Sequence, residues 1–379
     1  MPDRSPESWS VRGHWGLLLV FCAVAAGCGS NALSTSTGTP SGSTAGAGAA
    51  VQSASALSIL ESTALAGNVA SGDTEPVRDP SVAFQNGTYY LFSTDPANPP
   101  TAQYLPIRCS SDFLNWKPCG SVFNSLPKWV QTTLPGVGNL WAPDISYFNG
   151  QFHLYYAAST LGTQISGIGL ATNITLDPSD PNYKWVDQGE VISSQQGDDF
   201  NAIDPNILVD SDQRIWMTYG SFWTGIKQQE IDPETGMLLA SNAVRNELAY
   251  RPDSPDHAEE GASLIHHGSY YYLFLSVDHC CAAQVSGDDY KEIVGRSTSP
   301  NGPFLDAQGV NLLDGGGSIV LEGNNGWLAP GGGTAFLDPQ SGQTALVFHA
   351  LQPNAAGTNV TAFLWTKTIT WVNDWPDLD

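Results

Sequence analysis

Four acidic residues stand at the start of similar short segments in this chain of 379 residues. Asp79 lies in "RDPSV", Asp144 in "WAPDI", Asp204 in "IDPNI" and Glu260 in "EEGAS", and an apolar strand follows each of them. A carboxyl group that is held neutral beside an ionised one can act as a general acid beside a general base. The recurrence therefore predicts acid–base chemistry, provided that the fold brings these distant residues together.

The segments behind these acids repeat one pattern, in which a short strand, a tight turn and an aromatic strand follow one another. Helical periodicity is nearly absent, and turn signals such as "QNG" and "FNG" separate the strands. A fifth copy, without an acid, begins at Gly332. A repeat of roughly 55 to 70 residues made of short antiparallel strands is typical of a propeller blade. We therefore predict an all-β fold, a five-bladed β-propeller, from the segments 79–94, 142–159, 204–221, 259–276 and 332–350.

The propeller geometry would bring the acids together. The innermost strand of each blade lines a central channel, so acids that precede these strands would converge at one end of it. A pocket with several carboxylates and almost no basic residues is costly to hold ionised, and at least one pKa there should be raised. The repeat thus predicts the environment that a general acid needs.

The composition excludes some partners. Charged residues make up 13% of the chain, and the formal net charge is −23. Such a surface repels phosphate backbones, so nucleic acid is not an expected partner. A neutral, hydroxyl-rich polysaccharide would not be repelled, although the charge alone indicates only an acidic exported protein.

The N-terminal region is typical of an export signal. Two arginines precede the apolar run "GLLLVFCAVAAG", which is too short to span a bilayer comfortably and leads into a lipobox-like "GCGS". We expect residues 1–28 to be a lipoprotein signal with Cys28 lipidated; ordinary cleavage and secretion is the alternative. Residues 29–72, rich in Ser, Thr, Gly and Ala, are predicted to be a flexible linker. Residues 73–379 would form a monomeric catalytic propeller that meets the membrane only through the lipid anchor.

The remaining cysteines give weaker predictions. Cys109 and Cys119 could pair across a hairpin in an oxidising compartment. Cys280 and Cys281 are adjacent and would bridge each other only with strain. No cysteine pair has the spacing of a zinc site.

Taken together, the segments resemble glycoside hydrolase family 43. The motifs are "RDPSV", "LWAPDISYFNGQFHLYYAAS", "IDPNILVDSDQRIWMTYGSFWTGI", "EEGASLI" and "GRSTSPNGPF", and they extend over about residues 75–376. They are most similar to the endo-α-1,5-L-arabinanase branch, whose members are five-bladed propellers that cleave with inversion. The resemblance implies that Asp79 is the general base and Glu260 the general acid. It also implies that Asp204 orients the acid and adjusts its pKa.

Glu259 is the alternative acid if the motif is displaced by one residue. Side chains alternate along a strand, so only one of the two neighbours can face the channel. The Glu–small–small pattern of the family favours Glu260. Inversion needs an acid and a base roughly 6.5–9.5 Å apart so that a water fits between them, and carboxylates on different blades could provide that gap.

Four further residues are predicted to bind substrate. Trp141 and Phe222 could serve as platforms for sugar rings, and Trp223 is a weaker candidate. Asp144 could contact the sugar or could be structural. Arg296 could hydrogen-bond the substrate or pair with a carboxylate, and a purely structural ion pair is an equal alternative.

A resident cation is an open question. Many relatives hold a calcium-type ion in the channel through the histidine of a Gly-Pro-Gly-His segment. Here the segment reads "LAPGGGTAF", and Gly332 stands where that histidine would be. We therefore assign no metal ligand and no certain cofactor, and we expect His349 in "VFHA" to belong to the core.

The resemblance implies an inverting glycoside hydrolase that acts on arabinan, as in pectic side chains. An exo-acting α-L-arabinofuranosidase or a β-xylosidase of the same family is the nearest alternative. A non-catalytic carbohydrate-binding propeller is a different class of function. It would be expected to have lost one of the three acids, and all three are present.

Overall fold

The computed structural model describes residues 70–96, 103–280, 289–324, 326–353 and 360–378. The predicted signal peptide lies outside these residues, as does the predicted linker up to residue 69. Ser71 and Gly72, at the end of that linker, form a short strand. Within the described ranges, no helix has both the length and the apolar character needed to cross a membrane.

The described strands form five sheets, and apart from the added strand β1, Ser71–Gly72, each sheet is antiparallel with its strands in sequence order. Blade 1 contains β2 to β5, and the extra strand β1 pairs in parallel with β5: Ser71–Gly72, Ser81–Gln85, Thr88–Phe92, Tyr104–Ser110 and Asn115–Phe123. Blade 2 contains β6 to β9: Leu140–Phe148, Gln151–Ala158, Ser166–Asn173 and Val186–Ser194. A short helix α1, Lys128–Thr133, connects these two blades.

The other three blades repeat this arrangement. Blade 3 contains β10 to β13: Asn206–Val209, Ile215–Tyr219, Ile226–Ile231 and Asn246–Ala249. Blade 4 contains β14 to β17: Glu259–His267, Tyr270–Val277, Lys291–Ser297 and Ser318–Leu321, with a 3₁₀ turn at Leu312–Asp314. Blade 5 contains β18 to β21: Leu328–Leu337, Thr344–Pro353, Val360–Val372 and Trp375–Asp377. The predicted five-bladed β-propeller is confirmed.

The first strand of each blade is the innermost one. Strands β2, β6, β10, β14 and β18 each contact the next, and β18 contacts β2, so the five strands form a closed ring. The segment before β2 also bonds to the last blade: Val77 N donates to Ala362 O at 3.1 Å, and Leu364 N donates to Thr74 O at 2.9 Å. Main-chain bonds between the two ends of the domain therefore close the propeller.

Apolar side chains fill the space between neighbouring blades. Phe92 and Leu154 belong to the cluster between blades 1 and 2, and Leu91 packs with Val347 across blades 1 and 5. These side chains are fully buried, and each such burial contributes about 1.5–3 kcal/mol. Clusters of this kind between every pair of neighbouring blades hold the ring of inner strands in place.

The predicted bond between Cys109 and Cys119 is present. It joins β4 to β5, with the two Cα atoms 5.7 Å apart. Cys280 is also disulfide-bonded, and the adjacent Cys281 lies outside the described residues.

A left-handed residue recurs at an equivalent place near the start of each inner strand and marks the true register of the repeat, and β18 has a further one at Ala329. The five residues, with φ between 39° and 61°, are Asp79, Ala142, Asp204, Gly261 and Gly332. The expectation that all four acids occupy one equivalent position was therefore wrong for two of them. Asp144 lies two residues after this position and Glu260 one residue before it; β6 and β14 are bulged here, as β18 is.

Two residues beyond the left-handed position, four polar side chains connect the inner strands. Each accepts a main-chain N–H from the next blade, at 2.8 to 3.1 Å. The donors are residues Ile145, Ile207, Leu264 and Ala335, and the acceptors of this inter-blade ring are Ser81, Asp144, Asn206 and Ser263.

Candidate active site

A cleft of about 610 Å³ opens where the inner strands of all five blades begin. The three predicted catalytic carboxylates, those of Asp79, Asp204 and Glu260, all line it. They come from blades 1, 3 and 4, so the propeller brings together residues that are far apart in sequence. Other lining residues include Arg78, Thr94, Ser221, His279, Tyr290 and Gly332.

Asp79 is held through both its main chain and its side chain. Thr94 Oγ1 donates a short hydrogen bond of 2.5 Å to Asp79 Oδ2, and Ala142 N donates to the same Thr94 oxygen at 2.8 Å. The main-chain N–H of Asp79 donates to His349 Nδ1 at 3.4 Å. Burial raises the pKa of Asp79, although the Thr94 bond and the Arg78 charge oppose this effect. Its Oδ2 is engaged by the protein, which makes Oδ1 the oxygen available to a substrate or water.

Glu260 lies on β14 and accepts two hydrogen bonds. Ser221 Oγ donates to Oε2 at 2.7 Å, and the Tyr290 hydroxyl donates to Oε1 at 2.9 Å. Cys280 Sγ packs 3.6 Å from the same Oε1. Burial is the main reason why the pKa of Glu260 is raised, and the negative charge of Asp79 adds to it. A carboxyl group in this environment is suited to hold a proton at a pH where an exposed glutamate would be ionised.

Asp204 contacts the main chain next to Glu260. Its Oδ2 accepts the N–H of Gly261, the residue after Glu260, at 3.2 Å. The pKa of Asp204 is raised well above its usual value, first by burial and then by the charges of Glu260 and Asp79. The charge of Asp79 thus raises the pKa of both other carboxyl groups, and full ionisation of all three is disfavoured.

The structure places Glu260 in the cleft and Glu259 outside it. Glu259 is 1% exposed and packs against Gly225, where an added Cβ would lie 2.3 Å from Glu259 Oε1. Burial raises its pKa to about 8, against the opposing charges of Arg251 and Lys227. Strand alternation thus separates the two neighbours, and only Glu260 can reach a substrate in the cleft.

The four predicted substrate-binding residues divide into two pairs. Trp141 and Phe222 line the cleft, together with Trp223. Asp144 does not: it is 5% exposed and accepts hydrogen bonds from Ser81, Asn206 and the N–H of Ile207 within the inter-blade ring. The carboxylate of Asp144 is therefore hydrogen-bonded to other groups of the protein, which agrees with a structural role rather than contact with a sugar.

Arg296 lies away from the cleft. Its guanidinium stacks between the rings of Tyr270 and Trp375, at 4.3 and 4.2 Å from their centroids. It also donates to the carbonyl oxygen of Asp374 at 2.6 Å. This position connects β15 and β16 of blade 4 to β21 of blade 5, so the structure brings Arg296 neither to the cleft nor to a carboxylate of the site.

The residues at the place of the family histidine do not fit a histidine-held cation. Gly332 offers no ligand, and an added Cβ there would lie 2.5 Å from Asp79 Oδ1 and 2.8 Å from His349 Nδ1. A histidine at this position would thus displace both neighbours. Among the residues that the structure describes, no group of three His, Cys, Asp or Glu side chains is arranged to hold a metal.

Several residues of the site carry no signal in the sequence. Tyr290 lies outside the repeated segments, Thr94 is the last residue of the first segment, and His349 comes from the second strand of blade 5. Ser221 belongs to the segment "SFW", but only the aromatic residues of that segment were predicted to act. These side chains reach the carboxylates through contacts between blades, which the order of residues along the chain does not reveal.

Comparison with known proteins agrees with this geometry. Residues 74–376 match the glycosyl hydrolases family 43. An extracellular exo-α-(1→5)-L-arabinofuranosidase of Cellvibrio japonicus is 36% identical over 80% of this chain and 86% of its own. An extracellular endo-α-(1→5)-L-arabinanase of Bacillus subtilis is 35% identical over 80% of this chain and 87% of its own.

Solved structures show the same likeness. The α-L-arabinanase of Cellvibrio cellulosa, complexed with arabinohexaose, superposes with a TM-score of 0.73 and is 34% identical, over 81% of this chain and 96% of that one. The fold and the carboxylate-lined cleft are those of a glycoside hydrolase propeller. The chain belongs to the glycosyl hydrolases family 43.

Proposed function

We propose that this protein is an inverting glycoside hydrolase that cleaves α-1,5-linked L-arabinofuranosyl bonds in arabinan. The observation that supports this most directly is the convergence of Asp79, Asp204 and Glu260 on one cleft. Relatives that are named for action on α-1,5-linked arabinose cover most of the chain. The aromatic rings of Trp141 and Phe222 at the same cleft suit the apolar faces of a sugar.

In this proposal Asp79 is the general base. A water beside Oδ1 attacks the anomeric carbon and transfers its proton to Asp79, while Thr94 holds Oδ2 in place. The glycosidic C–O bond breaks at the same time, and Glu260 gives its proton to the leaving oxygen. The water adds from the face opposite to the leaving group, so the configuration inverts.

Asp204 is the positioning carboxylate. Its bond to the N–H of Gly261 fixes the main chain beside Glu260. The two carboxyl groups disfavour each other's ionisation, so an ionised Asp204 would hold the proton on Glu260. Asp79 and Glu260 exchange protons with the reactants in one turnover, whereas Asp204 does not need to. We therefore expect loss of Asp204 to act through the pKa and orientation of Glu260.

Hydrolysis of linear arabinan by the purified protein tests the function, with reducing ends as the readout and the anomer of the first product determined by NMR. We expect activity in the wild type, inversion of the anomeric centre, and near-complete loss in Glu260→Gln. A wild type that binds arabinan but releases no reducing ends would favour the non-catalytic alternative. A first product with retained configuration would contradict the assigned roles.

The mode of attack is a second question, because relatives named exo and endo are similarly close to this chain. We favour endo action. Debranched arabinan should then yield a ladder of oligosaccharides and lose viscosity early. Release of a single short product from one end would instead show exo action. Aryl α-L-arabinofuranoside and aryl β-xyloside serve as probes for the two related specificities.

We further propose that the protein is exported and acts as a monomer attached to the cell surface through a lipid on Cys28. Both relatives described above are named extracellular, and the "GCGS" segment supports the anchor. Mass spectrometry of the N-terminal peptide and a Cys28→Ser variant test it. A wild type released into the medium without acyl chains would show ordinary secretion, and light scattering would measure the oligomeric state.

A further inference from the structure

His349 occupies an unusual place beneath the proposed base. It lies on β19 and is 1% exposed, with Nδ1 facing Asp79: 3.4 Å from the main-chain nitrogen and 3.7 Å from Oδ1. Its Nε2 is buried and has no hydrogen-bond partner among the described residues. A histidine that served only to fill the core would not need to point a ring nitrogen at a catalytic carboxylate.

The contacts determine the state of the imidazole. The main-chain N–H of Asp79 can only donate, so Nδ1 must accept and carries no proton. Burial, together with the nearby positive charge of Arg78, lowers the pKa of His349 well below its usual value, so the ring is neutral and its proton sits on Nε2. A protonated Nε2 cannot ligate a cation.

The hydrogen bond from the Asp79 N–H to His349 Nδ1 supports the main chain of Asp79 at a position where it is strained. Asp79 has a φ of 48°, a left-handed conformation that is uncommon outside glycine, although Asp adopts it more often than most residues. Such a conformation costs of order 1–3 kcal/mol and persists only when its surroundings hold it. The N–H acceptor on His349 is one of these supports, and the Thr94 bond to Oδ2 is another.

Gly332 provides the space for this arrangement. An added Cβ at residue 332 would lie 2.5 Å from Asp79 Oδ1 and 2.8 and 2.9 Å from two atoms of the His349 ring. Gly332 also has a φ of 59°, which favours glycine. The absence of a side chain at 332 therefore leaves room both for the imidazole and beside the oxygen that would accept the proton of the water.

We propose that His349 is a positioning residue for Asp79, and that Gly332 admits it in place of a cation-holding histidine, so that the base is oriented without a resident cation. The imidazole holds the Asp79 main chain through Nδ1, and Oδ1 stays unblocked in the cleft. This inference rests on the proposed function, since it concerns the base of that reaction.

Replacement of His349 by side chains that differ in length and in hydrogen-bonding capacity tests the proposal. In His349→Asn, the amide oxygen can take the place of Nδ1 as acceptor. His349→Leu removes the acceptor, and in His349→Gln the longer side chain places the amide oxygen beyond the position of Nδ1. We expect kcat on arabinan to fall about 10- to 100-fold in the Leu and Gln variants, as a misplacement of about 1 Å can cost. KM should change little, and the Asn variant should recover most of kcat. The Asn and Gln variants form a matched pair even if Leu prevents folding.

An NMR measurement on ¹⁵N-histidine-labelled protein tests the hydrogen bond independently of turnover. The signal that disappears in His349→Asn should belong to an imidazole protonated only at Nε2, and it should not titrate over the range where the enzyme is active. The wild-type kcat should also be unchanged by a chelator or by added calcium.

Three kinetic results would overturn the proposal: equal kcat in wild type and His349→Leu, equal impairment of folded Asn and Gln variants, or activity that a chelator abolishes and calcium restores. An imidazole protonated at Nδ1 would do so as well. A wild type inert on arabinan would instead remove the proposed function, and the NMR signal would still decide whether His349 holds the Asp79 main chain.

Discussion

Replacement of Tyr290 by phenylalanine should shift the alkaline side of the pH profile upward. The Tyr290 hydroxyl donates to Glu260 Oε1 at 2.9 Å, a bond that favours the ionised form of that carboxyl group and lowers its pKa. The hydroxyl keeps its proton, because burial raises the pKa of Tyr290 well above its usual value. Phenylalanine retains the ring, which packs closely on Gly331, and removes only the donor.

The size of the shift follows from the strength of one bond. A hydrogen bond to a charged group contributes about 1.5–3 kcal/mol, and one pKa unit corresponds to about 1.36 kcal/mol. Loss of the Tyr290 bond should therefore raise the apparent pKa of Glu260 by about 1–2 units. The bond from Ser221 remains. Glu260 must be protonated to act as the acid, so activity disappears as the pH rises through its pKa, and a higher pKa moves that limb to higher pH.

The assay is the dependence of kcat on pH with linear arabinan as substrate. Tyr272→Phe is a matched control, because the Tyr272 hydroxyl donates to the carbonyl oxygen of Asp374, away from the cleft. The control should keep the alkaline limb of the wild type. An alkaline limb in Tyr290→Phe that stays in place or moves to lower pH would refute the reasoning, since Tyr290 would then not stabilise the ionised form of Glu260.

Three further outcomes are expected. Glu260→Gln should lower kcat on arabinan by about 10²–10⁴-fold, whereas Glu259→Gln should stay active because this side chain lies outside the cleft; the reverse result would reassign the acid. Asp144→Ala should lower the free energy of unfolding by roughly 3 kcal/mol, since it leaves buried donors of the inter-blade ring unpaired; urea unfolding measures this, and an unchanged midpoint would contradict the role of Asp144. Burial raises the pKa of Glu292 from 4.5 to about 8, so the stability that its proton provides is present at low pH and is lost as the pH rises toward about 8. The melting temperature of Glu292→Gln relative to that of the wild type should therefore increase as the pH rises. A difference in melting temperature that is the same at every pH would contradict this prediction.

The repeat shows where reasoning from the sequence succeeded and where it stopped. The alternation of strands and turns depends on local chemistry, and it was enough to predict five blades with the first strand innermost. The exact register within each repeat was not predicted, because it depends on single-residue bulges in β6, β14 and β18. Aligning the repeats on their acidic residues placed Asp144 at the mouth of the channel, whereas the left-handed residue of that blade is Ala142.

The sequence by itself determined the fold class and the three carboxylates that converge, since blades repeat locally and Asp79, Asp204 and Glu260 lie near the ends of inner strands. Only the tertiary structure decided which neighbour faces the cleft and which groups hold the carboxylates. A one-residue bulge reverses the side to which a side chain points. The supporting contacts join residues far apart in the chain, as His349 and Asp79 do across blades 5 and 1. These contacts exist only once the ring of blades has closed.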